Sequence, residues 1–152
     1  MIHDRPLIHA HDLLTQPLLP LVWDVEPLIS RGDRVVVFGE FGSFKSWILL
    51  HLAWHLAAGV HWLDSFTIPE QRHVLYVDEE MNERTLRRRG KRLAQGAGIA
   101  GSPPVAFLSR AGVRFDAYGA ASLLAYLREQ KFTPNVVIVE ALRRVLVGDE
   151  NE

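Results

Sequence analysis

The 152-residue chain is 48% hydrophobic, which is enough for one domain-sized core. Its formal net charge of −1 gives no overall attraction to nucleic acid or membranes, and the lack of cysteine excludes disulfides and thiolate metal sites. The chain does not begin with a basic segment followed by an apolar stretch, and no apolar run is long enough to span a bilayer. Composition therefore predicts a cytoplasmic protein with no membrane partner.

Residues 1–30 contain prolines between short apolar pieces, at Pro6, Pro17, Pro20 and Pro27. Proline lacks a backbone donor and fixes its own φ, so it interrupts both helices and strands. We expect residues 1–30 to form an irregular N-terminal segment that lies over a core built by residues 31–152.

Four apolar runs predict short buried strands: Arg34–Phe38, His73–Asp78, Val105–Ser109 and Val136–Glu140. Helical segments alternate with these runs: Trp47–Ala58, an acidic start at Glu79–Glu83 that runs to about Ala94, and Ala117–Lys131 with Leu123, Leu124 and Leu127 on its buried side. Such alternation predicts an α/β fold of three layers, with helices covering both faces of a mainly parallel sheet.

The junction between the first strand and the first helix matches most of the phosphate-binding pattern G-x-x-x-x-G-K-[ST]. Its residues are Gly39, Glu40, Phe41, Gly42, Ser43, Phe44, Lys45 and Ser46, followed by Trp47. Backbone N–H groups of such a loop point at one spot together with the helix N-terminus, which suits phosphate oxygens. These nine residues are the predicted nucleotide-binding set, in which Lys45 reaches the outer phosphates and Ser46 binds Mg²⁺.

Phe44 departs from the pattern, because glycine is usual at that position. Its backbone N–H can still bind phosphate if the aromatic side chain points away from the loop, and Gly42 leaves some room. Nucleotide binding is therefore predicted more strongly than efficient hydrolysis.

Two predicted strands end in acidic residues at the carboxyl edge of the sheet, where ligands of parallel α/β folds bind. A P-loop ATPase needs one strand-end carboxylate for Mg²⁺ and a further group that positions the attacking water. Asp78 and Glu140 each follow four apolar residues, so either could be the Mg²⁺ ligand. The strand pattern alone leaves both alternatives open.

Three blocks together resemble RecA-like ATPases, especially the branch of hexameric RepA-type replicative helicases and their phage and plasmid relatives. The blocks are Gly39–Ser46, the strand that ends in Glu79–Met81, and Val136–Glu140 followed by Ala141–Arg144. Gly148–Asn151 also resembles the loop that follows the Walker B strand in that branch.

The resemblance implies a P-loop NTPase fold of RecA-like type that uses Mg²⁺ with ATP. It implies that Glu80 is the catalytic glutamate and that Glu140 is the Walker B ligand of Mg²⁺, with Asp78 as the alternative. RecA-like ATPases continue with a further strand that carries a polar sensor residue. Residues 31–152 are therefore expected to be a partial domain, incomplete at the C-terminus, of a larger ATPase.

Two functions remain open at this point. In its full-length form the protein would couple ATP hydrolysis to a DNA transaction of replicative helicase or loader type, as a homo-oligomer such as a hexamer. Alternatively, the chain holds ATP or ADP without turnover, as a regulatory module or a truncated remnant. Whether this polypeptide is an enzyme is thus left open by its sequence.

Two weaker patterns favour ordinary structural explanations. His51 and His55 lack the glutamate of a zinc-protease motif, so a packed pair is expected instead of a metal site. A stripe of cations predicts a solvated helix face, with contact to nucleotide, DNA or a neighbouring subunit as the alternative. It consists of Arg84, Arg87, Arg88, Lys91 and Arg92.

Overall fold

The computed structural model describes residues 7–141 and residue 145. The elements, numbered in chain order, are α1 (Ala10–Thr15), β1 (Trp23–Val25), β2 (Ile29–Ser30), α2 (Lys45–Ala58), β3 (Val74–Asp78), α3 (Glu83–Gly96), β4 (Val105–Ser109), α4 (Ala117–Glu129) and β5 (Val136–Glu140). No helix among the described residues is long and apolar enough to cross a membrane.

The main sheet has three parallel strands in the order β4-β3-β5. Register is unbroken, so the last residue of β3, Asp78, lies opposite Ser109 of β4 and Glu140 of β5. Because the strands are parallel, all three carboxyl ends meet at one edge. The predicted α/β fold with a parallel sheet between helices is confirmed.

Alternate residues of the strands pack on the two faces of the sheet. On one face Tyr76 and Ile138 lie in a core shared with α2 and α3, and on the other Leu75 packs near Leu127 of α4. The prediction that Leu124 is buried beside Leu127 is wrong, since Leu124 is 55% exposed. Successive residues differ by about 100° around a helix, so Leu124 lies outside the strip of α4 that meets the sheet.

The N-terminal segment is more regular than predicted, because it contains α1 and a two-stranded antiparallel ribbon of β1 and β2. Its two strands lie on either side of Pro27, and Val25 is fully buried in the core that α2 and α3 share. Arg72 is also buried and forms an ion pair with Asp24 of β1 at 2.8 Å, which attaches the ribbon to the main sheet. By contrast, α1 has no buried residue. The boundary between an N-terminal segment of residues 1–30 and a nucleotide-binding domain of residues 31–152 stays a prediction.

The predicted first strand, Arg34–Phe38, is not a strand in the structure. Its side chains are exposed, with Val36 at 69% and Phe38 at 90%. An apolar run becomes a buried strand only when a neighbouring strand completes its hydrogen bonds. Neither this segment nor the outer edge of β5 has such a neighbour within the described part of the chain.

Helix α3 begins later than predicted, at Glu83 and not at Glu79. Asn82 is its N-cap, and its side chain accepts a hydrogen bond from the backbone N–H of Thr85 at 2.9 Å. Residues 79–82 instead form a turn, in which the backbone N–H groups of Glu80 and Met81 donate to the Asp78 carboxylate. Residues 142–144 and Gly148–Asn151, which contribute to the resemblance, lie outside the described residues.

Candidate functional site

The loop Gly39–Ser46 leads from the exposed segment into α2, with Lys45 as the first helical residue. The ammonium of Lys45 lies inside the loop, donating to the carbonyl oxygens of Gly39 at 2.8 Å and Glu40 at 2.7 Å and to Ser43 Oγ at 3.2 Å. A Cβ on Gly39 would lie 2.9 Å from Ser43 Oγ, so a larger residue there would displace the Ser43 side chain. The loop therefore closes around the side chain predicted to meet phosphate.

Phe44 adopts a left-handed backbone, with φ of 61° and ψ of 16°. This conformation is unusual for a residue with a Cβ and explains why glycine is usual at this position. Phe44 is 74% exposed, so most of its aromatic ring is accessible to solvent. No side chain caps α2, so the amides of its first turn are not bonded by a capping residue.

Glu140 lies beside the first turn of α2. Its carboxyl group accepts a hydrogen bond from the Tyr76 hydroxyl, and the Ser46 hydroxyl lies close enough to act on its pKa. Burial raises the pKa of Glu140; the two hydroxyl donors oppose this rise, and the neighbouring Asp78 carboxyl adds to it. Burial, followed by the Glu140 charge, likewise raises the pKa of Tyr76. The strand-end acid and the predicted Mg²⁺ serine are thus neighbours in the structure.

Asp78 is fully buried at the end of β3. Its Oδ1 accepts hydrogen bonds from the backbone N–H groups of Glu80 and Met81, both at 2.8 Å. Its Oδ2 is buried and accepts no hydrogen bond from a described residue, and the Glu140 carboxyl group lies beside Asp78. A buried carboxylate oxygen without a donor is costly, and a bound cation would remove that cost.

These oxygens suit Mg²⁺, which prefers hard oxygen ligands. Within the described ranges no three His, Asp, Glu or Cys side chains form a metal-binding group, so an ion here would need the Ser46 hydroxyl beside the carboxylates. Glu140 lies beside Ser46, whereas Asp78 has a buried oxygen that accepts no hydrogen bond from a described residue. Both predicted alternatives for the Mg²⁺ ligand therefore stay open.

The two glutamates after Asp78 have different surroundings. Glu79 is buried, and its carboxylate oxygens accept hydrogen bonds from the backbone N–H groups of Val113 at 3.0 Å and Gly112 at 3.1 Å. Glu80 is exposed at the edge of the sheet. Glu79 therefore holds the loop after β4, while Glu80 is the glutamate accessible to a ligand at this edge.

Sequence reasoning missed residues that hold the turn 79–82. Ser109 Oγ donates to the carbonyl oxygen of Met81 at 2.7 Å, and the Arg110 guanidinium donates to that of Glu80 at 2.9 and 2.6 Å. Ser109 ends the strand beside Asp78, so comparing strand ends could have found it. Arg110 belongs to no sequence motif that would have identified it.

Trp47, the last residue of the predicted nucleotide-binding set, is half-buried and lies under the guanidinium of Arg89 of α3, 5.0 Å from the ring centroid. Its indole thus contacts protein in the structure. The cationic stripe on α3 is exposed, as expected for a solvated face. His51 and His55 form a stacked pair with centroids 3.9 Å apart, and burial followed by the His55 charge lowers the pKa of His51.

A parallel α/β sheet, a glycine-containing loop that opens a helix, and carboxylates at the same edge define a P-loop nucleotide-binding fold. A sequence model of the family described as an AAA domain matches residues 4–152. The chain therefore belongs to this family of AAA-type P-loop ATPases, whose members generally use Mg²⁺ with ATP. No curated protein and no solved structure matches the chain significantly.

Proposed function

We propose that this chain binds Mg·ATP or Mg·ADP in the loop Gly39–Ser46 and that Glu80 serves ATP hydrolysis. The observation that carries the proposal is the proximity of the Ser46 hydroxyl, on the first turn of α2, to the Glu140 carboxyl group at the end of β5. It joins the loop to the acidic edge of the sheet, where phosphate and metal ligands must lie close together.

Each part of the proposed site has a separate task. Lys45 and the amides of the loop bind the outer phosphates, while Ser46 and a strand-end carboxylate, Glu140 or Asp78, hold Mg²⁺. The ion supplies positive charge that neutralises the phosphate oxygens of the nucleotide. Burial of both carboxylates supports this task, because two acids held together without a cation repel each other.

Glu80 is the proposed catalytic residue, positioning the attacking water and accepting its proton. Its exposure at the carboxyl edge supports this role, as do the hydrogen bonds that fix its backbone on both sides. Glu79 is unsuited to the role, because its carboxylate bonds two amides in a buried position.

A second candidate function is nucleotide binding without efficient turnover. The observation in its favour is the segment Arg34–Phe38, which has no strand partner in the described part of the chain and leaves one end of the loop unanchored. Catalysis depends on exact placement more than binding does, so a loosely held loop affects turnover first.

The cellular role is a proposal supported by family resemblance. In the full-length protein we infer that hydrolysis is coupled to a DNA transaction of replicative helicase or loader type, in the cytoplasm. The resemblance to RepA-type helicases also supports a homo-oligomer such as a hexamer. The loop, the acidic edge of the sheet and the turn are parts of the proposed nucleotide site. They support this inference only because the inferred DNA transaction would consume ATP.

Isothermal calorimetry with ATP and ADP, with and without Mg²⁺, tests the binding proposal. Lys45→Ala should weaken nucleotide binding by about 2 kcal/mol or more, because a charge-assisted contact to phosphate is lost. Lys91→Ala is the matched control, since Lys91 is an exposed lysine on α3 away from the loop. Equal affinities for wild type, Lys45→Ala and Lys91→Ala would show that the loop does not bind phosphate.

A further inference from the structure

Arg110, the first residue after β4, has a backbone conformation that arginine rarely adopts. Its φ is 50°, in the left-handed region that favours glycine. A non-glycine residue keeps such a conformation only where its surroundings enforce it, and these positions concentrate at functional sites. The contacts of Arg110 explain why this conformation is kept.

Arg110 bonds the turn after β3 through both its backbone and its side chain. Its backbone N–H donates to the carbonyl oxygen of Asp78 at 2.7 Å. Its Nε and Nη2 both donate to the carbonyl oxygen of Glu80, at 2.9 and 2.6 Å. One residue therefore holds the chain on both sides of Glu79.

The partner of this guanidinium is unusual. Two donors of an exposed, charged group bond a neutral backbone carbonyl, although arginine forks match carboxylates and phosphates best. On the other side of the same peptide unit, the N–H of Met81 bonds Asp78 Oδ1. The peptide between Glu80 and Met81 is thus held at its oxygen by Arg110 and at its nitrogen by Asp78.

We propose that Arg110 is a positioning residue for Glu80, and this inference rests on the catalytic role proposed for Glu80. Fixing the peptide plane that follows Glu80 restricts the direction in which its side chain leaves the backbone. The left-handed conformation serves this purpose, because it lets the amide and the guanidinium of Arg110 reach the same turn. Arg110 itself touches neither nucleotide nor metal in this scheme.

The decisive variant is Arg110→Gly, since glycine adopts the left-handed backbone without strain but lacks the guanidinium. We expect its urea midpoint to equal or exceed that of wild type, while ATP turnover falls about tenfold through misplacement of Glu80. The Kd for Mg·ATP should stay within about twofold, because a transition-state group contributes little to ground-state binding. Arg110→Lys keeps the positive charge without the two-donor guanidinium, and its turnover should lie between those of wild type and Arg110→Gly.

A second measurement does not depend on turnover. By NMR-detected hydrogen exchange, the amides of Glu80 and Met81 should exchange faster in Arg110→Gly than in wild type, at unchanged global stability. Arg114→Ala is the matched control, as an exposed arginine in the same connection. It should change neither exchange nor turnover.

Several results would overturn the proposal. They are wild-type exchange at Glu80 and Met81 in Arg110→Gly, wild-type turnover in that variant, or a loss of turnover that merely follows a loss of stability. If wild type binds and hydrolyses no ATP, the proposed function fails, and the exchange measurement still decides whether Arg110 holds the turn.

Discussion

The loop before α2 and the turn after β3 lie at the same edge of the sheet, yet the protein holds them differently. The turn is bonded from several directions, by Asp78 below it and by Ser109 and Arg110 beside it. The loop Gly39–Ser46 is exposed, and most of its hydrogen bonds are to itself through Lys45. The turn, which carries the residue proposed to activate water, is therefore held in place before any ligand binds. The phosphate-binding loop is held mainly by its attachment to α2.

This difference has a consequence for mutations. Changes in the turn should act on the chemical step, because its geometry is fixed before any ligand binds. Changes in the loop should act on affinity and on stability, because its backbone carries strain and has few external contacts.

The largest expected effect is on the turn side. Glu80→Gln should bind Mg·ATP with nearly wild-type affinity and lose about 10²-fold or more in turnover, the scale of a positioned acid–base group. Steady-state kinetics and calorimetry on the same protein, or on a longer natural form of it, separate the two quantities. Glu83→Gln is a control, because Glu83 lies on α3 and pairs with Arg87. A Glu80→Gln variant that turns over normally would remove Glu80 from the mechanism.

A smaller effect should distinguish the two strand-end acids, which lie between the loop and the turn. Glu140→Gln should weaken Mg·ATP about tenfold relative to metal-free ATP, because it removes a charged oxygen beside Ser46. Asp78→Asn retains an oxygen that can accept from the turn amides, so it reports mainly on the second, buried oxygen. Calorimetric titrations with and without Mg²⁺ measure both variants. If Asp78→Asn abolishes the Mg²⁺ dependence while Glu140→Gln is silent, Asp78 is the ligand.

The smallest effect is expected for the aromatic residue at position 44 in the loop. Phe44→Gly should raise the free energy of unfolding by about 1 kcal/mol, because glycine removes the left-handed strain and Phe44 loses little packing. Nucleotide affinity should be kept or improved. Phe41→Gly is the matched control, since Phe41 is also exposed but does not have a positive φ. Urea denaturation measures both, and a severe loss of binding in Phe44→Gly would show that the ring belongs to the site.

Some parts of the fold can be predicted from the sequence, and others depend on contacts that a local pattern does not reveal. Apolar runs bounded by turn residues predict β3, β4 and β5 to within one residue, and the helix after the loop ends at Ala58 as predicted. The run Arg34–Phe38 has the same local pattern and is exposed, because strand formation depends on a partner that periodicity does not reveal. The ribbon β1–β2 is missed because its elements are shorter than any reliable periodic signal.

The candidate site divides in the same way. The loop and the acidic strand ends can be found by motif and by the rule that ligands bind at carboxyl edges. The hydrogen bonds that distinguish the buried Glu79 from the exposed Glu80 cannot be predicted from the sequence. Their donors lie in the connection after β4, far from Glu79 along the chain. Tyr76 is another example, as a strand residue whose hydroxyl matters only once β5 lies beside it.

The hydrogen bond between Tyr76 and Glu140 has an evolutionary consequence. In the parallel register Tyr76 precedes Asp78 by two residues, so its side chain lies on the same face, one step below the strand-end acids. An aspartate at position 140 would be one methylene shorter and could not bond the Tyr76 hydroxyl and lie beside the Ser46 hydroxyl in the same way. We therefore expect the two positions to covary among relatives: a glutamate at 140 with a hydroxyl-bearing aromatic at 76, and an aspartate with an apolar residue there.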